Sequence, residues 1–99
     1  MQTIHKYPFG VTDQLTRELP ANAQVLAVQL QHGTPCLWVL LDPDAPMMPR
    51  TFCLYGTGQQ IHREPGRYIG TFQLSEGDLV FHLFERDAPG FRSTELLSG

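Results

Sequence analysis

A chain of 99 residues, 41% of them hydrophobic, carries enough apolar material for one domain that buries roughly two thirds of its unfolded surface without a disulfide staple. Seven basic against ten acidic residues give a net charge of −3 with neither sign in a block, which excludes the footprint of a nucleic-acid binder and makes a poor nucleic-acid mimic. There is no CxxC pair, no amino-terminal stretch combining a basic start with an apolar core and a cleavage site, and no apolar run near the roughly 18 residues of a membrane span, so a cytoplasmic protein with reduced thiols is expected.

Thr3-Ile4-His5-Lys6-Tyr7 is short and β-prone, and Pro8 suits an edge, where its missing N–H breaks no ladder bond. Gly10 to Asp13 reads as a turn. From Gln14 to Leu19 the pattern fits two periods, because Val11, Leu15 and Leu19 keep helical spacing while Leu15, Arg17 and Leu19 share a strand face. Pro20 limits a helix there to about one and a half turns, too short to stand alone, so a strand is expected.

The stretch Val25 to Leu41 writes a β-hairpin: VLAVQLQ, the turn pair His32-Gly33, then TPCLWVLL. A two-residue loop needs φ > 0 at both positions, which Gly33 takes freely and His32 tolerates. The resulting register pairs Gln31 with Thr34, Gln29 with Cys36, Val28 with Leu37, Ala27 with Trp38, Leu26 with Val39 and Val25 with Leu40. Both faces are then apolar, which predicts that strand 36–41 is central and covered on both sides. Three prolines between Asp42 and Pro49 predict a stiff surface loop over 42–50 that displays Met47 and Met48.

Arg50 to Tyr55 reads as a strand ended by Gly56-Thr57-Gly58, and 59–66 is loop chemistry. A second hairpin follows, Arg67–Leu74 and Leu79–Glu85 around Ser75-Glu76-Gly77-Asp78. It sets Leu74 by Leu79, Phe72 by Phe81 and Gly70 by Leu83 on one face, with Gln73 by Val80, Thr71 by His82 and Ile69 by Phe84 on the other. The whole predicts an all-β domain over 1–86, a small antiparallel sandwich or half-open barrel of about six or seven strands, with an extended or mobile tail over 87–99.

Several blocks, Thr3-Ile4-His5-Lys6-Tyr7-Pro8, Cys36-Leu37-Trp38, Tyr55-Gly56-Thr57-Gly58, Tyr68-Ile69-Gly70-Thr71 and Val80-Phe81-His82-Leu83-Phe84-Glu85, resemble a family of small proteins encoded by bacteriophages and prophages. The resemblance spans residues 2–85. That family has no assigned activity, so the likeness implies a setting, a bacterial host cytoplasm with a role in the particle, its assembly or the host, and no site.

Candidate chemistry is sparse. Cys36 and Cys53 lie in apolar runs and read as small buried hydrophobes, which leaves a cysteine-dependent hydrolase as the weakest alternative. His5, His32, His62 and His82 have no metal-ligand spacing, so neither a metal nor a cofactor is expected. Gly56, Thr57 and Gly58 with Arg63 and Arg67 could cradle an anion or nucleotide, a small-ligand alternative that uses the 56–67 segment. Tyr7, Tyr55, Tyr68, Phe72 and Phe81 could stack bases but at period two read as core. Met47 and Met48 on a stiff loop suggest a protein contact. The leading expectation is therefore a non-enzymatic interaction or self-assembly protein, a homodimer joined through the 42–50 loop or the Thr3–Tyr7 edge.

Overall fold

Seven strands form in the computed structural model, which describes residues 1–88: β1 (Thr3–Pro8), β2 (Gln14–Pro20), β3 (Gln24–Gln31), β4 (Thr34–Leu41), β5 (Met47–Gly56), β6 (Arg67–Leu74) and β7 (Leu79–Arg86). They make two antiparallel sheets, a three-stranded one ordered β1-β4-β3 and a four-stranded one ordered β2-β5-β7-β6, not closed into a barrel. Of the expected tail, Asp87 is exposed and Ala88 buried, and the remainder lies outside the described residues.

Local chemistry explains each hairpin. His32 and Gly33 have φ of 50° and 80°, the two-residue turn that matches strand twist, and Gln31 faces Thr34 as expected. The register holds as far as Ala27 opposite Trp38. There a β-bulge at Leu26 departs from the alternation, so that Val25 faces Val39 and Gln24 faces Leu40. Val25 thereby packs on the core, and Leu26, expected inside, is 45% exposed. The second hairpin behaves alike. Its pairs hold from Leu74–Leu79 to Gly70–Leu83, and then a bulge at Ile69 brings Tyr68, in place of Ile69, opposite Phe84.

The expected 42–50 loop covers only Asp42 to Pro46, and the rest of the segment is strand despite Pro49. Strand β5 begins at Met47, and Met47 to Arg50 pair with Pro20 to Arg17 of β2. The hydrogen bonds Ala21 N–H to Pro46 O (2.7 Å) and Leu54 N–H to Asp13 O (3.0 Å) fix the alternation of this ladder. Pro49 and Pro20 both fall at positions whose N–H would point away from the partner, so their missing donors cost no ladder bond. Met47 and Met48 are 55% and 53% exposed but successive in a strand, so they point to opposite faces and form no single patch.

Between the sheets lie Leu19, Val28, Leu37, Val39, Leu41, Phe52, Leu54, Phe72 and Leu83, with Phe9 edge-on to Phe72 at 6.1 Å. Full burial of each such side chain contributes about 1.5–3 kcal/mol. The sheets approach most closely where β6 crosses β3, because Gly70 has no side chain to hold them apart: a Cβ there would sit 2.7 Å from Val28 Cγ1.

Strand β4 is central, as expected, but only one of its faces is covered by the other sheet. Leu37, Val39 and Leu41 are buried on that face, whereas Trp38 and Leu40, opposite Lys6 and Ile4, lie half-buried on the outer one. The expectation of a doubly covered strand failed because, among the described residues, seven strands split into two layers leave no third layer to cover it. Urea unfolding will therefore separate the two aromatic sites. Phe52→Ala costs about 3–5 kcal/mol and Trp38→Ala clearly less, and equal losses would return Trp38 to the core.

Candidate functional site

Three places on the fold collect chemistry-bearing side chains. The first is the outer face of the three-stranded sheet with its β1 edge. Cross-strand neighbours share a face, so this one carries Ile4, Lys6 and Pro8 from β1, Cys36, Trp38 and Leu40 from β4, and Ala27, Gln29 and Gln31 from β3. Ile4 is 57% exposed beside half-buried Leu40. Lys6 Nζ donates to Gln31 Oε1, spanning β4 above Cys36, which is buried. The indole Nε1 of Trp38 is covered and has no acceptor among the described residues.

The backbone of that edge can be read atom by atom. Phe9 N–H donates to Pro35 O at 3.0 Å, which makes Phe9 and Pro35 a hydrogen-bonded pair. Alternation along the ladder then points the N–H and C=O groups of Tyr7 and His5 toward β4, and those of Ile4, Lys6 and Pro8 outward. The tight turn gives the same answer independently: Gln31 and Thr34 bond each other, so Cys36 and Trp38 face β3, and Leu37 and Val39 face β1. Among the described residues nothing pairs with the outer side of β1 except at Pro8, whose C=O accepts from Arg17 Nη2.

The second place is the outer face of the four-stranded sheet. Tyr55 and Tyr68 both meet Phe84 edge-on, at 5.8 and 5.4 Å. Beside them His82 is held at both ring nitrogens, Nδ1 at 2.9 Å from Thr71 Oγ1 and Nε2 at 2.8 Å from Thr57 Oγ1, and Thr71 continues to Tyr68 Oη at 2.6 Å. A neutral imidazole accepts on one side and donates on the other, so the four groups form one directional chain. It resembles a hydroxyl activated by histidine, but the histidine's other partner is a threonine where catalysis would want a carboxylate. The turn that carries Thr57 has few donors to spare. Gly56 N–H bonds Gln59 Oε1, Thr57 N–H bonds Val80 O and Gln59 N–H bonds Gly56 O, at 3.0 to 3.1 Å. The chain ties the Gly56–Gly58 turn to the sheet.

The third is internal. Arg50 grips Glu85 through Nε and, at 2.9 Å, through Nη2, and its Nη1 donates to Ala23 O at 2.8 Å. Both side chains are nearly dry, 11% and 3% exposed. The pair separates two clefts of about 560 and 360 Å³, each lined by both residues. Met48 lines the larger, Arg67 and Tyr68 the smaller. Removing either partner from such a pair leaves an uncompensated charge and costs about 3–5 kcal/mol.

The residues singled out from sequence for an anion do not meet. Arg67 stands opposite Glu85, whereas Gly56 stands opposite Phe81, about 13 Å along the same strand, and lines a separate cleft of 190 Å³. Arg63 is exposed in the intervening loop. Among the described residues no three His, Cys, Asp or Glu side chains gather as metal ligands do. Sequence reasoning found the Thr71–His82 pair, assigned Thr57 to an anion cradle and Tyr68 to stacking or core instead of to this chain, and missed the Arg50–Glu85 bridge. The bridge left a signal: Glu85 continues the inward series Phe81, Leu83, so it must enter the interior and needs a cation there.

Over residues 1–92 the chain matches the family model described as a domain of unknown function (DUF7352), and it belongs to that family. No curated protein and no solved structure matches it.

Cys36 and Cys53 are free thiols, 1% and 2% exposed on the two outer faces, each covered by neighbouring side chains. A thiol reagent will label neither in the native protein and both in denaturant. Rapid native labelling of Cys53, near His82, would reinstate nucleophilic chemistry.

Proposed function

We propose that this family member is a non-enzymatic contact module that works by protein–protein association, with a second copy of itself as partner and the β1 edge with its apolar outer face as the contact. The phage-type setting implied by the sequence blocks, a bacterial host cytoplasm and a particle-assembly or host-directed role, belongs to the same proposal.

The reading rests on the way the four sheet edges are defended. β3 and β6 cross at Val28 and Gly70, so each covers part of the other. β2 carries Arg17, Glu18 and Pro20, the charged and proline residues that discourage strand pairing. β1 has Pro8 only at its end and a single charge, Lys6, whose ammonium is drawn inward across the sheet to Gln31. The observation that carries the proposal is that this lightly defended edge is also where Ile4 stands exposed beside Leu40. Modest net charge opposes association only weakly. A small-ligand reading draws its support from Arg67 at the 360 Å³ cleft. It draws none from the Gly56–Gly58 turn, where the N–H groups of Gly56 and Thr57 are already engaged.

Sedimentation velocity over a rising concentration series tests the proposal. The wild-type chain will associate in the micromolar range and Ile4→Glu, a change at an exposed position, will stay monomeric with an unaltered unfolding curve. A wild-type chain that remains monomeric at hundreds of micromolar contradicts it.

A further inference from the structure

Resting on the contact proposed above, we infer that two copies join as a two-fold β1–β1 pair in one register, with Ile4 of each copy opposite Lys6 of the other and His5 on the axis. The open groups of the strand define the match. Ile4, Lys6 and Pro8 point outward, but Pro8 has no N–H and its C=O is held by Arg17, so the usable stretch is Ile4 and Lys6, each offering one donor and one acceptor. Turning that pattern by two-fold rotation reproduces it. Antiparallel pairing of Ile4 with the second copy's Lys6, and the reverse, satisfies both N–H and both C=O groups on each strand.

Neighbouring registers fit less well. Centring on Lys6 sets two ammonium groups directly opposite each other, which destabilises a strand pair. Centring on Ile4 draws its second pair of bonds from Gln2, which precedes the strand. The His5 register also brings Thr3 of one copy beside Tyr7 of the other on the inner face. It yields a continuous six-stranded sheet in which the β4 strands flank the join. The partner is thus a second copy of this chain, because the edge is its own complement; a longer unrelated strand would meet the block at Pro8.

Cross-linking and proline substitution test the register separately from the association itself. His5 is exposed and its two copies form a non-hydrogen-bonded pair across the axis, with Cα atoms about 4.5 Å apart, a span a disulfide accepts. Under mild oxidation His5→Cys will give a covalent dimer while the buried native thiols stay reduced, and Ile4→Cys will cross-link at least tenfold more slowly. Lys6→Pro removes an outward N–H that has no partner among the described residues, so it will keep its unfolding transition and lose association, whereas Lys6→Ala will associate at least as well as wild type. Faster cross-linking through Ile4 than through His5, or association that survives Lys6→Pro, overturns the register. If the wild type still associates and Ile4→Glu abolishes it, those results leave the contact proposal standing. A wild-type chain that never associates overturns both.

Discussion

The close approach of β3 and β6 is the constraint from which the rest of the molecule follows. Two sheets of three and four strands can cover one another only if they are drawn together somewhere, and Gly70 against Val28 is where that happens. A side chain at residue 70 would push Val28 away and pry the layers apart at their nearest point. Each strand is bulged just before the crossing, at Leu26 two residues ahead of Val28 and at Ile69 one residue ahead of Gly70, and the bulges supply the bend that lets the strands cross. Val25, Leu26, Tyr68 and Ile69 line one cleft as a result, and behind it lies the Arg50–Glu85 pair.

That pair closes one end of the interior. A lone carboxylate at Glu85 would be intolerable so deep, and three guanidinium hydrogen bonds, two to the carboxylate and one to Ala23 O, compensate for its desolvation. The third bond reaches the segment that leads into β3, so a single arginine links the two sheets. An ion pair of this kind adds little net stability compared with well-packed apolar residues, but it penalises any arrangement in which β5, β7 and Ala23 fail to meet. Its role here is to specify the fold. The His82 chain does a comparable task outside, anchoring the Gly56–Gly58 turn with hydroxyls that remain open to solvent.

Much of this was legible in the sequence because turn chemistry and alternation are local. The φ > 0 requirement at His32 and Gly33 set one register, and the series Phe72, Leu74, Leu79, Phe81 set the other. The bulges were not legible, since the residues that exchange places at them, Val25 with Leu26 and Tyr68 with Ile69, are apolar in both pairs and leave no polar group conspicuously misplaced. Leu26 and Val25 exchange places without a change in composition. The extension of β5 through Pro49 was hidden for a different reason. A proline forbids a strand only where its N–H is needed, and that depends on which partner lies on which side, knowledge that belongs to the assembled sheet. The Arg50–Glu85 bridge joins residues 35 apart and showed itself only as a carboxylate in an inward position.

Like every edge of an antiparallel sheet, β1 alternates satisfied and unsatisfied amides, and here the unsatisfied ones stand beside the exposed Ile4. Hydrogen exchange resolved by residue measures that alternation directly. In dilute protein, His5 and Tyr7 amides, bonded to β4, should exchange slowly while Ile4 and Lys6 exchange freely, and raising the concentration should slow Ile4 and Lys6 alone. Ile4 and Lys6 amides that are already protected at high dilution, or that stay unprotected at every concentration, would contradict an open edge awaiting a second copy.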